Sequence, residues 1–139
     1  MLFRQKLKKE ELEMNEKTTC SCGAKGVPRI IYSCSGIASN VGQLSNAAAC
    51  QLNKEGFGTG SCLAGIGGDV EALITMAKGA DERIVIDGCP IQCGKKILDA
   101  KKIPIDRYVL ITELGITKTS GPEFNESDLI TVINAVKQK

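Results

Sequence analysis

The 139-residue sequence contains no histidine and no tryptophan, and its aromatic residues amount to two tyrosines and three phenylalanines. Without histidine the usual general base is missing, so a metal site here must be built mainly from sulfur. So few aromatic rings argue against a base-stacking surface for nucleic acid and leave the core to Ile, Val, Leu and Ala. Net charge is also small: Lys+Arg 18 against Asp+Glu 16 gives +2. The lysines are scattered among acids, which predicts neither phosphate-backbone binding nor a steered acidic partner. No apolar run approaches the roughly 20 residues that span a bilayer. The first residues are too charged for a secretory signal and lack its apolar stretch and cleavage site. These absences predict a cytoplasmic protein with no nucleic-acid and no membrane partner, and they name no protein partner.

What the chain has is cysteine, seven of them, and 15 glycines. Its length suits one domain with one sizeable core, and 42% hydrophobic with 24% charged residues is the composition of an ordinary globular protein. Cytoplasmic thiols stay reduced, and an odd number of them argues further against a disulfide framework. Metal binding or redox chemistry is the class of explanation that remains.

Residues 1–27 read as a flexible N-terminal tail. Leu2, Phe3, Leu7 and Leu12 are interleaved there with lysines and glutamates. Met14 is an alternative start, because Lys9-Glu10-Glu11 can be encoded by a purine-rich run resembling a ribosome-binding site. The tail ends with Cys20-Ser21-Cys22, a pair of possible auxiliary thiols. Residues 28–139 read as a single α/β domain. Arg29 to Ser33 predicts strand one, and Leu44, Ala48 and Leu52 predict a helix over Val41 to Lys54. Cys50 lies in that helix and is expected to pack as a small core hydrophobe. Phe57 to Cys62 is a poor strand by propensity, but the alternation around it requires one, best placed at an edge. Leu63 to Gly68 reads as a glycine-rich loop, with Asp69 capping the next helix, whose face is Val70, Leu73, Ile74 and Ala77. Arg83 to Asp87 is the strongest strand. Pro90 suits the first position of the helix after it, which makes Cys89 its cap and puts Cys93 in its first turn. Arg107 to Thr112 predicts strand four, and Asn125 caps a last helix facing inward with Leu129, Val132, Ile133 and Val136.

The resulting βαβαβαβα pattern, with continuous apolar strands, predicts a four-stranded, mostly parallel sheet with helices on both faces. Right-handed crossovers make the flavodoxin-like order 2-1-3-4 the simplest topology for this three-layer fold. Cys34, Cys62 and Cys89 then all fall at carboxyl ends of adjacent strands, and Cys93 is one turn further on. Four thiols converging at a sheet edge could hold one zinc, and the helix start beside Cys89 and Cys93 would equally activate a redox cysteine, so metal and exchange chemistry both stay open here. The start of the helix at Pro90, together with Lys95 and Lys96, would offset the negative charge of such a site. Asp87 and Gly88 are expected to support it from behind, with Asp87 orienting the loop amides or capping a turn.

Cys34-Ser35-Gly36, Val41-Gly42, the run Cys62 to Gly68, Asp87-Gly88-Cys89-Pro90 with Cys93, and Glu113-Leu114-Gly115 follow in an order that resembles the DGC-domain family. The resemblance covers roughly Pro28 to Lys118. It implies zinc chelation through four cysteines, which here are Cys34, Cys62, Cys89 and Cys93, and it implies little about process. Asn40 departs from the pattern, since an aspartate is expected there in many relatives.

A closed four-sulfur shell leaves no position for a substrate water, which speaks against hydrolytic catalysis and for metal handling or sensing. The alternative is a thiol redox or iron–sulfur protein using the same cysteines. A third reading has Gly65-Ile66-Gly67-Gly68 cradling an anion, but that run lacks the lysine and hydroxyl of a phosphate-binding loop.

Overall fold

The structure, a computed structural model, describes residues 28–138; the expected tail, with Cys20, Cys22 and Met14, lies outside the described residues. Ile30, Ile31 and Tyr32 are wholly enclosed in strand β1 (Arg29–Ser33), and Arg83 to Asp87 are all buried in β3 (Glu82–Asp87). Strands this apolar on both faces fit only the middle of a covered sheet. They pair in parallel, with Ile31 opposite Ile84 and Ser33 opposite Ile86. Strand β4 (Arg107–Leu110) flanks β3, and β2 (Thr59–Gly60) flanks β1, giving the all-parallel order β2-β1-β3-β4. The expected fold class and strand order are therefore both present.

Alternation along the strands divides the core between two faces. Ile31, Ile84, Ile86 and Val109 pack against α1 (Asn40–Lys54) and α5 (Glu126–Gln138), through Leu44, Ala48, Leu52, Val132 and Val136. Ile30, Tyr32 and Val85 face the other way, onto Ile66, Ala77 and Leu98. Those three belong to α2 (Leu63–Gly67), α3 (Glu71–Gly79) and α4 (Cys93–Ala100).

Four local expectations are corrected. Strand two shrinks to Thr59–Gly60, because Gly56, Gly58 and Gly60 leave little side chain to pack on the sheet. The glycine-rich loop begins as helix α2, since Leu63 and Ile66 are spaced to bury one face. Its amides are used internally: Gly65 N–H meets Cys62 Sγ at 3.4 Å and Gly68 N–H meets Ala64 O at 2.8 Å. No anion cradle is left there. Asp69 is not a cap; it has a left-handed backbone and pairs with Lys101, and Val70 precedes α3. Strand four stops at Leu110 and continues as a single 3-10 turn, Ile111–Leu114. The last helix is capped as expected, with Asn125 Oδ1 accepting from Asp128 N–H at 2.8 Å.

Candidate cysteine cleft

The chain leaves β1 toward one side of the sheet and β3 toward the other, so their carboxyl ends border a crevice of the kind in which open α/β sheets bind ligands. Cys34 stands at the end of β1, its N–H extending the ladder to Ile86 O at 3.2 Å. Its sulfur accepts from Gly88 N–H at 3.3 Å and lies 3.3 Å from Ser45 Oγ. Ser45 is fully buried and has one proton to give; it also reaches Gly42 O at 2.7 Å and accepts Ser35 N–H at 3.1 Å. The sulfur of Cys34 is therefore held in a polar niche of a backbone amide and a hydroxyl. Ser35, next in the chain, has φ 53, a left-handed conformation that costs a non-glycine residue roughly 1 kcal/mol.

Two glycines let three backbone segments meet at this point. A Cβ on Gly42 would lie 2.1 Å from Gly36 O, and one on Gly88 would lie 2.8 Å from the carbonyl carbon of Val41. Gly88 thus both allows this close approach and offers its amide to Cys34.

Cys89 and Cys93 sit on the connection from β3 to α4, although not as the sequence led one to expect. Residues 89–92 form a turn closed by Gln92 N–H to Cys89 O at 3.0 Å, and Pro90 supplies its fixed φ to the second position. The helix begins at Cys93, and Gln92, in a left-handed conformation, is its cap. Neither Cys89 nor Pro90 plays the part expected of it. Asp87 sets the true start. Its fully buried carboxylate accepts Gly94 N–H at 2.8 Å, Lys95 N–H at 3.0 Å and Tyr108 O–H at 3.0 Å. Two of the orphan amides of α4 are thereby satisfied from the sheet. Burial, followed by the neighbouring Asp87 charge, pushes the Tyr108 phenol well above its ordinary range. Lys95 turns along its helix to pair with Asp99 at 2.6 Å and does not reach into the crevice.

Cys34, Cys89 and Cys93 line one cleft of about 510 Å³, with Lys118 on its wall. Lys118 Nζ lies 3.5 Å from Cys89 Sγ. The loop that carries it is held by Asn40, a buried residue at the start of α1. Asn40 donates from Nδ2 to Thr117 O at 2.9 Å and accepts Thr119 N–H on Oδ1 at 2.7 Å. Lys118 is the residue between those two contacts.

Cys62 is placed elsewhere. It is exposed and borders a separate hollow of about 400 Å³, which it shares with Cys50. Cys50 is itself exposed, 3.9 Å from Asn46 Oδ1, so the expectation that it packs in the core is overturned. It occupies an outward position of α1, while Ala48, Ala49 and Leu52 take the buried ones. Three of the four expected sulfurs are brought to one cleft and the fourth is not. The donor chemistry suits a thiophilic metal. As they stand, however, no three His, Cys, Asp or Glu side chains among the described residues are grouped to hold an ion. Sequence reasoning missed Ser45, the clamp formed by Asn40, and Lys118. Only the departure at Asn40 pointed toward any of them.

No solved structure matches the chain. It is 34% identical over 99 residues to the anaerobic and virulence modulator AnvM of Pseudomonas aeruginosa, an alignment covering 71% of this chain and 75% of that protein. The DGC domain matches residues 30–136, a span that takes in all of the sheet but Arg29, both hollows and the buried part of the last helix. The chain belongs to the DGC-domain family.

Proposed function

We propose that this protein binds zinc through Cys34, Cys62, Cys89 and Cys93, in metal handling or sensing within the cytoplasm. The observation that carries the reading is the convergence of three thiols from β1 and the β3–α4 turn on one cleft at the carboxyl edge of the sheet. The sulfur-only donor set and the absence of histidine fit zinc held structurally or in transit better than zinc acting on a substrate water. Cys62, on the neighbouring hollow, has the weakest geometric support and is the member that the test must examine separately. A relative named as an anaerobic and virulence modulator fits a sensing role better than a catalytic one.

Thiol redox chemistry on the same sulfurs is the second reading, favoured by the ungrouped state of the donors; an iron–sulfur cluster would need the same four sulfurs brought together as zinc does. One experiment separates these readings: metal, labile-sulfide and free-thiol analysis of the full chain purified anaerobically, beside single Cys→Ser variants. The zinc reading expects about one zinc per chain, lost in Cys34→Ser, Cys62→Ser, Cys89→Ser and Cys93→Ser and kept in Cys50→Ser; zinc kept in Cys62→Ser alone would remove Cys62 from the site. Iron with sulfide, or a metal-free protein whose thiols pair on mild oxidation, would overturn it.

A further inference from the structure

The cleft has a charge preference that its cysteines alone do not give it. Among the described residues lining it, Lys118 is the one charged side chain, and no carboxylate faces it from the other walls. The position of Lys118 is built into the fold. Asn40, 7% exposed, grips the backbone on both sides of Lys118, and Asn40 N–H adds a third bond to Thr119 O at 3.3 Å. Gly121 N–H to Ala38 O at 3.0 Å and the bridge between Ser39 and Ser120 fasten the same loop to the start of α1. An asparagine is suited to this clamp because one amide group both donates and accepts, which a carboxylate cannot do. A long side chain leaving so fixed a backbone delivers its ammonium to Cys89 with less entropy to lose than one on a free loop.

We propose that the cleft takes a small, negatively charged, thiol-reactive molecule. Lys118 is its charge-recognition residue and Asn40 the positioning residue for Lys118. At about 510 Å³ the cleft has room for such a ligand. The inference rests on the cleft as a ligand site and on Cys89 as its reactive sulfur; bound zinc would occupy that sulfur, so it concerns the chain when Cys89 is free of metal.

The probes are iodoacetate and iodoacetamide, applied to the full chain freed of metal by a chelator, with the modification of Cys89 followed by mass spectrometry. In both reactions the cysteine sulfur forms a bond to the methylene carbon and iodide leaves with the electron pair. The two reagents differ in charge, and the fraction of reactive sulfur cancels in their rate ratio. For Cys89 the ratio of iodoacetate to iodoacetamide, referred to a small free thiol, is expected to be raised about fivefold, the effect of one nearby unit charge in a water-like medium. Lys118→Gln abolishes the excess, Lys118→Arg keeps it, and Asn40→Ala reduces it. The ratio at Cys50, outside the cleft, stays unchanged in every variant. A wild-type ratio equal to that of the free thiol, or an excess that survives Lys118→Gln, overturns the proposal. Should Asn40→Ala fail to fold, the two Lys118 variants alone decide it. A chain with no zinc but with this excess retains the inference and loses the metal reading, and the opposite result does the reverse.

Discussion

Replacing Asp87 by asparagine removes one charge and one acceptor oxygen and preserves the shape of a fully buried side chain. The wild-type carboxylate serves three donors: the amides of Gly94 and Lys95 and the hydroxyl of Tyr108. The asparagine has one acceptor oxygen, so at least one helix amide loses a charge-assisted bond and faces an N–H₂ group instead. A hydrogen bond to a charged group contributes about 1.5–3 kcal/mol. One such loss, partly offset by no longer burying a charge, sets the expected cost of Asp87→Asn at about 2 kcal/mol. Asp87→Ala loses all three bonds and should cost about 3–5 kcal/mol, a large share of the roughly 5–15 kcal/mol that stabilises a typical domain. Urea unfolding measured on both variants gives the magnitudes. The same cap aims the first turn of α4, so alkylation of Cys93 in the folded protein should also change rate in Asp87→Asn. If Asp87→Asn is as stable as wild type to within about 0.5 kcal/mol, the carboxylate does not hold the helix and the reasoning fails.

Tyr108 and Tyr32 both have phenol pKa values raised, chiefly by burial. The folded chain then keeps protons that the unfolded chain sheds, so stability is full below about pH 10 and falls as pH rises above it. Unfolding followed across that range should show Tyr108→Phe with a shallower alkaline decline, and an unchanged slope would contradict the assignment. Gly42→Ala forces a methyl group against Gly36 O, a backbone atom that cannot rotate away, and should cost about 3 kcal/mol in chemical denaturation; a cost below 1 kcal/mol would mean that the loop yields easily.

The layers and strand order were legible because β1 and β3 are apolar on both faces and the helices between them carry stripes with helical spacing. Errors fell where local signals conflict. Pro90 favours both a first helical turn and the second position of a β-turn, and a carboxylate on β3 decided for the turn by capping amides further along. Cys50 stands two places from both Ala48 and Leu52, about 200° round the helix from the buried stripe, so its outward position was readable from spacing and the small-thiol preference for cores misled. At the site, Cys34, Cys89 and Cys93 were legible from strand ends. Cys62 was not, since it follows a strand that stops at Gly60 and is fastened to its own short helix. Lys118 could not be read from spacing. Its partner in the fold, Asn40, is nearly eighty positions away and acts through backbone contacts, which composition does not record.

The brevity of β2 bears on how this sheet resists pairing with foreign strands. An edge strand with free amides and carbonyls is a template for foreign strands, and aggregation often starts there. Here that edge is two residues long, and the chain leading into it is tied down, with Arg29 stacked on the Phe57 ring at 4.2 Å and bonded to Phe57 O at 3.0 Å. The glycines that make this segment a poor strand also leave a would-be partner almost nothing to pair with on that side of the sheet.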